Sequence, residues 1–499
     1  LRPNLSDGIE WSETFDSSIN RRLPKKSWAI CSSALMPLEN NFESVPLRLA
    51  KAKVHFIGIG GIGMSGLAEL LKNLGAQVSG SDLSENAQTA RLMKLGIKIF
   101  HGHAAENITG AEVVVYSSAV KPNNPEFAAA LKCKIPLIRR AEALAELMRL
   151  KRGIAVAGTH GKTTTTSLVS SIFLEAKQDP TIVVGGRLDV IGSTAQLGKG
   201  EWLIAEADES DGTFSRLSPE VVIITNIDND HLDHYGTFED LQEAFVDFAS
   251  RIPFYGAAII CGDDEKTRKL FQQFGKRGLF YGLKDDNDFV LKKVKNGTWS
   301  VFQEGKKIVE FESAMPGEHN ALNAVASMIA AFQAGIEWAI SAAAIKKFGG
   351  VDRRFQHKGQ VKGVDFYDDY GHHPTEIRAV LKGFKERFPS RRLITVFQPH
   401  RYSRTQICWN DFLTCFQHSD ELFLLDIYAA GESPIAGIST EKLALEIDHP
   451  RCQYLPRQEH TLKNLLKMLK SGDLFLTLGA GDVSKLGEKW MHDYDHSTK

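Results

Sequence analysis

Gly153-Ile-Ala-Val-Ala157, followed at once by Gly158-Thr159-His160-Gly161-Lys162-Thr163-Thr164, is the stretch that decides the fold. The first five residues read as a short buried strand, and Lys162 to Ala176 carries helical spacing. A glycine turn between strand and helix directs successive N–H groups, and the helix N-terminus, at one point where phosphate oxygens can sit. Lys162 then reaches the terminal phosphates as a point charge, and the Thr163 hydroxyl suits a magnesium ion. The usual phosphate loop has four residues between its glycines, and this one has two. Strand, glycine turn, lysine and hydroxyl still come in the order that such a loop needs.

On the C-terminal side, the apolar run Trp202 to Ala205 leads into Glu206-Ala-Asp208-Glu209-Ser-Asp211, four acids within six positions. A charge run is usually a solvated face. At the end of a buried strand in a phosphate-loop domain, however, it lies on the edge where ligands bind, and Glu206 is the candidate carboxylate for magnesium. The run Val221 to Thr225 likewise leads into Asn226-Ile-Asp228-Asn-Asp230-His231-Leu-Asp233-His234, where His231 is the candidate for a second metal ion. Ala257 to Cys261 reads as another strand, and the alanine-rich stretch Asn320 to Ala334 as a helix that ends at Gly335.

On the N-terminal side, the strand Val54 to Gly58 runs into Gly58-Ile-Gly60-Gly61-Ile62-Gly63-Met-Ser65-Gly66, and a helix follows over Met64 to Leu74. A second strand, Ala76 to Gly80, ends at Asp82, where a dinucleotide fold puts its ribose-binding acid. A third, Glu112 to Tyr116, ends at Ser117 and Ser118. A lone glycine fingerprint of this kind also fits a nicotinamide-dependent dehydrogenase, but such an enzyme has no use for the second phosphate loop at Gly158. Beyond Gly350, strands are predicted at Asp365 to Tyr367, Leu393 to Phe397, Glu421 to Leu425 and Leu474 to Leu478. Strands alternating with helices argue for mostly parallel sheets covered by helices. The 499 residues therefore divide into an extension at 1–52 and three α/β domains, at 53–150, 151–348 and 349–499. The first and last are Rossmann-like, and the central one is a phosphate-loop ATPase.

With 60 lysines and arginines against 61 aspartates and glutamates, no global field recruits nucleic acid or an anionic membrane. The six cysteines are scattered without a C-x-x-C pair, which reads as reduced and cytoplasmic. No run approaches the roughly 20 apolar residues of a membrane span. Arg21, Arg22, Lys25 and Lys26 precede a short apolar piece, Trp28 to Met36, but Ser32 and Ser33 interrupt it, so an extension is expected here rather than a signal peptide.

Gly158-Thr-His-Gly-Lys-Thr-Thr164, Glu206-Ala-Asp-Glu-Ser210, Asn229-Asp-His231 and Pro316-Gly-Glu-His-Asn320-Ala-Leu-Asn323 occur in the order and spacing of the Mur ligases. The resemblance covers roughly Lys53 to Gly487. Within that family, Gly58 to Ser65, Asp368-Asp-Tyr-Gly-His-His-Pro374 and Gln398-Pro-His-Arg401-Tyr-Ser-Arg404 resemble the branch that adds L-alanine. The resemblance implies one domain each for the UDP-sugar, for ATP and for the incoming amino acid. It also implies the reaction: the lactyl carboxylate of UDP-N-acetylmuramate is activated by ATP as an acyl phosphate and joined to the amino group of L-alanine.

By the same resemblance, Gly158 to Thr164 cradle the nucleotide, Thr163 and Glu206 hold one Mg2+, and His231 helps to hold a second; oxygen ligands suit Mn2+ as well. Asn320 and Asn323 are expected at the adenine edge, and Asn320 also as a helix cap, since asparagine caps helices well. Arg354 would reach the phosphates, and Asp369 the nucleotide or metal-bound water. Tyr370, His372 and His373 would line the alanine pocket, and Arg401 and Arg404 would grip the alanine carboxylate through their planar forks. Gly61, Ile62, Ser65, Asp82, Ser117 and Ser118 would meet the UDP-sugar. The segment after Arg187 shows no obvious lysine for the carbamylated ligand of other branches. Closure is expected about hinges at Arg149–Gly153 and Phe348–Val351, in a monomer or weak homodimer. The alternatives are a recycling ligase that attaches a tripeptide to the same sugar, a dinucleotide oxidoreductase, and a nucleotide-binding protein without catalysis.

Overall fold

The computed structural model describes residues 51–496, apart from 118, 189, 190, 192, 211, 231, 296 and 457–463. The expectations for the N-terminal extension up to residue 50, for Ser118 and for His231 lie outside the described residues.

Three sheets follow one another along the chain. The first holds β1 (Lys53–Ile57), β2 (Gln77–Asp82), β3 (Lys98–His101), β4 (Val113–Tyr116) and β5 (Leu137–Arg139), all parallel in the order β3-β2-β1-β4-β5. The second has β6 (Arg152–Ala157), β7 (Thr181–Leu188), β8 (Ser193–Gln196), β9 (Trp202–Glu206) and β10 (Val221–Ile224) in its first half. Its second half is β11 (Ala257–Cys261), β12 (Gly278–Gly282), β13 (Phe289–Lys295), β14 (Thr298–Gln303) and β15 (Lys306–Glu312). The order is β15-β14-β13-β12-β11-β10-β6-β9-β7-β8, parallel from β13 through β7 and antiparallel at both ends. The third sheet comprises β16 (Gln356–Val361), β17 (Val364–Asp369), β18 (Leu393–Phe397), β19 (Glu421–Leu424), β20 (Cys452–Tyr454) and β21 (Leu474–Leu478). It is ordered β16-β17-β21-β18-β19-β20, and only β16 is antiparallel.

This topology places the site. β6 lies between β10 and β9, and all three are continuous apolar runs buried on both faces, as parallel strands covered by helices must be. Their C-terminal ends are neighbours, so the phosphate loop, the Glu206 run and the Asn226 run emerge side by side. The antiparallel ribbon β13–β15 was invisible to the sequence reading, because Lys292, Lys293 and Lys295 break the alternation that marks a strand.

The first and second sheets share one core: Leu67, Leu71 and Met148 belong to the same buried cluster as Ala155, Ala205 and Phe245. At the contact, a Cβ on Gly66 would lie 3.0 Å from that of Ala195 and 3.1 Å from Thr194 Oγ1, so the glycine lets the Ile62–Asn73 helix sit close to β8. The expected hinge glycine Gly153 also serves packing. It is an interior residue of β6, where a Cβ would meet Met148 Cγ at 2.7 Å and Pro219 Cα at 3.2 Å. The third sheet has its own cores on its two faces, built around Phe384 and Phe397 on one side and Phe475 and Trp490 on the other. No described helix is long and apolar enough to cross a membrane.

Candidate active site

The loop after β6 is shaped by what presses on it. Gly158 has φ +133°, and a Cβ there would lie 2.0 Å from Thr225 Oγ1, so only glycine fits. The carbonyl of His160 accepts from Thr225 Oγ1 at 2.6 Å and Asn226 Nδ2 at 2.9 Å, while the His160 N–H donates to Asn226 Oδ1 at 2.9 Å. The residues after β10 thus pin the loop from one side. Gly161, with φ +82°, caps the Lys162–Glu175 helix, and a Cβ on it would meet Asn323 Oδ1 at 2.9 Å from the other side.

Lys162 Nζ donates to the Gly158 carbonyl at 2.7 Å and to Glu209 Oε1 at 2.7 Å. Burial pushes the Glu209 carboxyl up to about 7, and Lys162 only partly offsets this. Thr163 Oγ1 lies 2.9 and 3.1 Å from the two oxygens of Glu206, whose Oε2 also accepts the Gly185 N–H at 2.7 Å. A hydroxyl and a fixed carboxylate side by side at the phosphate loop are the hard oxygen donors that Mg2+ requires. Asp208, next in the run, turns away to Arg140 Nη2 at 2.9 Å and so ties the acid run to the first domain.

The C-terminal domain closes over the same loop. Glu376 Oε1 lies 3.4 Å from His160 Nδ1 and 3.5 Å from Arg354 Nη1, while its Oε2 accepts the His372 N–H at 3.0 Å. On the other side of His160, Nε2 is 3.2 Å from Asp228 Oδ2, which also accepts from Thr375 Oγ1 at 2.7 Å. Burial alone would hold the His160 imidazole neutral, but Glu376 and Asp228 reverse this and raise it to about 9. Arg404, buried, pairs with Asp230 at 3.1 Å and contacts His400 Nδ1 at 3.2 Å. Arg401 faces a different acid, Glu432, at 3.9 Å. The two arginines therefore start from separate partners rather than as one fork.

Asp369 is buried and accepts the N–H groups of Phe355 and Gly371, both at 2.8 Å; burial raises its carboxyl to about 6 against the pull of Arg354. The guanidinium carbons of Arg353 and Arg354 lie 4.9 and 5.2 Å from the centre of the Tyr370 ring. Burial pushes the His372 imidazole below its ordinary value, against the pull of Glu376.

In the first domain, Asp82 does not stand open at the strand end. Its Oδ2 accepts the Gly60 N–H at 2.8 Å and its Oδ1 the Ser84 N–H at 3.2 Å, so it braces the glycine loop. Ser65 is buried and donates to the Ile62 carbonyl at 2.9 Å. Gly61 caps the Ile62–Asn73 helix, Ile62 is exposed, and Ser117 is half-buried at the end of β4.

The structure thus brings together Gly158 to Thr164, Glu206, Arg354 and His373. Asn320 is not the expected cap. The helix runs over Glu318–Gln333 from Gly317, and Asn320, a turn inside it, donates to the Pro316 carbonyl at 2.7 Å. An N-cap must precede the first helical residue, and glycine with φ +92° takes that place. Asn323 lies against Gly161 in the phosphate loop. Asp228, Glu209, Asp230 and Glu376 were missed. For Glu376 a signal was present: it sits three residues after His373 in a capping-box arrangement, with a proline opening the helix.

Family models match three consecutive segments: the catalytic domain of the Mur ligase family at 53–152, the Mur ligase middle domain at 156–331 and the Mur ligase glutamate ligase domain at 353–481. A UDP-N-acetylmuramate–L-alanine ligase of Bdellovibrio bacteriovorus is 58% identical over 447 residues, 88% of this chain and 98% of that protein. The crystal structure of a UDP-N-acetylmuramate-alanine ligase from Thermotoga maritima superposes with a TM-score of 0.75 at 29% identity, covering 89% of this chain and all of that one. A murein peptide ligase from Psychrobacter arcticus gives a TM-score of 0.67 at 23% identity, over 89% of this chain and 98% of that one, a likeness of fold.

Proposed function

The chain belongs to the Mur ligase family, and from that premise we infer that it is an ATP-dependent UDP-N-acetylmuramate–L-alanine ligase of peptidoglycan precursor synthesis. The observation that carries the reading is the 58% identity to a ligase of that name along nearly its whole length. The peptide-ligase likeness, at 23%, concerns the fold alone and does not favour the tripeptide reaction.

A carboxylate and an ammonium form a salt, not an amide, because a carboxylate oxygen is a poor leaving group. Transfer of the terminal phosphoryl group of ATP to the lactyl carboxylate gives an acyl phosphate. The neutral amine of alanine then adds to its carbonyl carbon, and phosphate leaves with the bonding pair. The first step brings anions together, so cations must surround the transferring group. We assign this to Lys162 and Arg354. Thr163 and Glu206 would hold Mg2+, which supplies charge neutralisation at the phosphates when bound, and His231 is the candidate for a second ion. Tyr370, His372 and His373 would line the alanine pocket, with Arg401 and Arg404 for its carboxylate. Asp369 would meet the nucleotide.

The glycine loop after β1 would face the UDP-sugar, with Asp82 acting through Gly60. We place the reaction in the cytoplasm, carried out by a monomer or weak homodimer. The test is phosphate release with ATP, magnesium and UDP-N-acetylmuramate, each amino acid being supplied separately. Release only with L-alanine, with UDP-muramoyl-alanine as product by mass, is expected. Turnover with the tripeptide alone would move the chain to the recycling reaction.

A further inference from the structure

His160, Asp228 and His373 converge from three elements: the phosphate loop, the segment after β10 and the start of the Pro374–Arg387 helix. One ligand atom from each falls within 4.8 Å of the other two. His160 Nε2 and His373 Nδ1 lie 3.2 and 3.6 Å from Asp228 Oδ2. Ligands on a tetrahedral zinc ion with bonds of about 2.0–2.1 Å are about 3.3–3.4 Å apart, so the two edges to Asp228 already match, and the two imidazoles, within 4.8 Å of each other, would draw together to seat an ion. We propose that these three side chains form a site for a transition-metal cation of the zinc class, bridging the phosphate loop and the C-terminal domain.

The outer contacts are those of a metal site. A ligating histidine typically presents its second ring nitrogen to a carboxylate, which fixes its orientation. Here Glu376 takes that place on His160 Nδ1 at 3.4 Å, and Thr375 Oγ1 orients Asp228 at 2.7 Å. The Asp228 side chain is 32% exposed, which leaves an approach from solvent and room for a water as the fourth ligand. Two imidazoles and one carboxylate select zinc or cobalt over magnesium, which prefers oxygen. The ligands also differ from Thr163, Glu206 and His231. A metal ion binds the deprotonated imidazole, so binding weakens on acidification.

The test is titration of the nucleotide-free full chain with Co2+ in the presence of excess Mg2+, followed by visible absorption. One equivalent giving the intense bands of four-coordinate cobalt is expected, retained in Thr163→Val and His231→Ala and lost in Asp228→Asn and His373→Gln. Absence of the bands in the wild type, or their loss in His231→Ala, overturns the site. A second readout needs no variant: Zn2+ should shift the ring signals of His160 and His373 in 15N-histidine spectra, and shifts confined to other histidines refute the proposal.

Discussion

Gly158→Ala tests whether the phosphate loop is held in shape by contact or only by its own turn. The new methyl would lie 2.0 Å from Thr225 Oγ1 and 3.0 Å from the Asn226 carbonyl oxygen, and φ would stay at +133°. Overpacking costs about 1–3 kcal/mol, and a side chain held in so sparsely populated a conformation costs about 1–3 kcal/mol more. Thr225 cannot simply swing away, because its hydroxyl donates to the His160 carbonyl. A double-mutant cycle with Thr225→Ala, followed by urea denaturation, separates the two terms. Thr225→Ala alone loses a hydrogen bond, about 1 kcal/mol. The double variant should be less destabilised than the sum of the singles by the clash, about 1–3 kcal/mol, while the conformational cost remains. Strict additivity would refute the reasoning, since it would mean that the methyl and the hydroxyl never meet.

Lys162→Ala should reduce phosphate release about 10²- to 10³-fold while the protein stays folded; near-normal turnover would remove Lys162 from the phosphoryl site. Arg404→Lys gives up a charge-assisted pairing worth about 1.5–3 kcal/mol, so KM for L-alanine should rise by roughly tenfold to hundredfold with a smaller change in kcat. In metal-free protein, His160 should titrate near 9 rather than 6.5 by NMR, and Glu376→Gln should lower that value. Because the folded value is raised, the stabilisation from His160 is complete below about pH 6.5 and lost as pH rises through about 9. Thermal melts across that window should show the loss in the wild type and a smaller one in Glu376→Gln.

Strand boundaries around the phosphate loop were legible because each buried parallel strand is an unbroken apolar run ending in a polar cluster. Val221 to Thr225 is one residue longer than β10, and Ala257 to Cys261 coincides with β11. The nearness of Thr163 to Glu206 was legible because the glycine loop returns the start of the Lys162–Glu175 helix to the end of the neighbouring strand β9. What escaped the reading depends on partners far apart in sequence. Nothing around Asp228 announces that Thr375 and His373 will arrive from another domain, and nothing in Arg404 says that Asp230 will meet it. Asn320 went wrong for a local reason: glycine with positive φ outcompeted it for the cap. Asp82 was read as a ribose-binding acid at the strand end, and the sequence does not show that the Gly60 N–H turns back onto it.

The two seams between domains differ in substance. Leu67 and Met148 interlock with the central core as oil against oil, whereas the C-terminal domain meets the phosphate loop through His160–Glu376, Thr375–Asp228 and Arg404–Asp230. The first seam rests mainly on apolar burial, with the Arg140–Asp208 pair beside it, and the second on charge and hydrogen-bond geometry. Substitutions that remove charge at those contacts should therefore loosen the C-terminal domain first, leaving the first and central domains as one body. A small molecule meant to jam the enzyme would do better wedged among these charges than against the apolar seam.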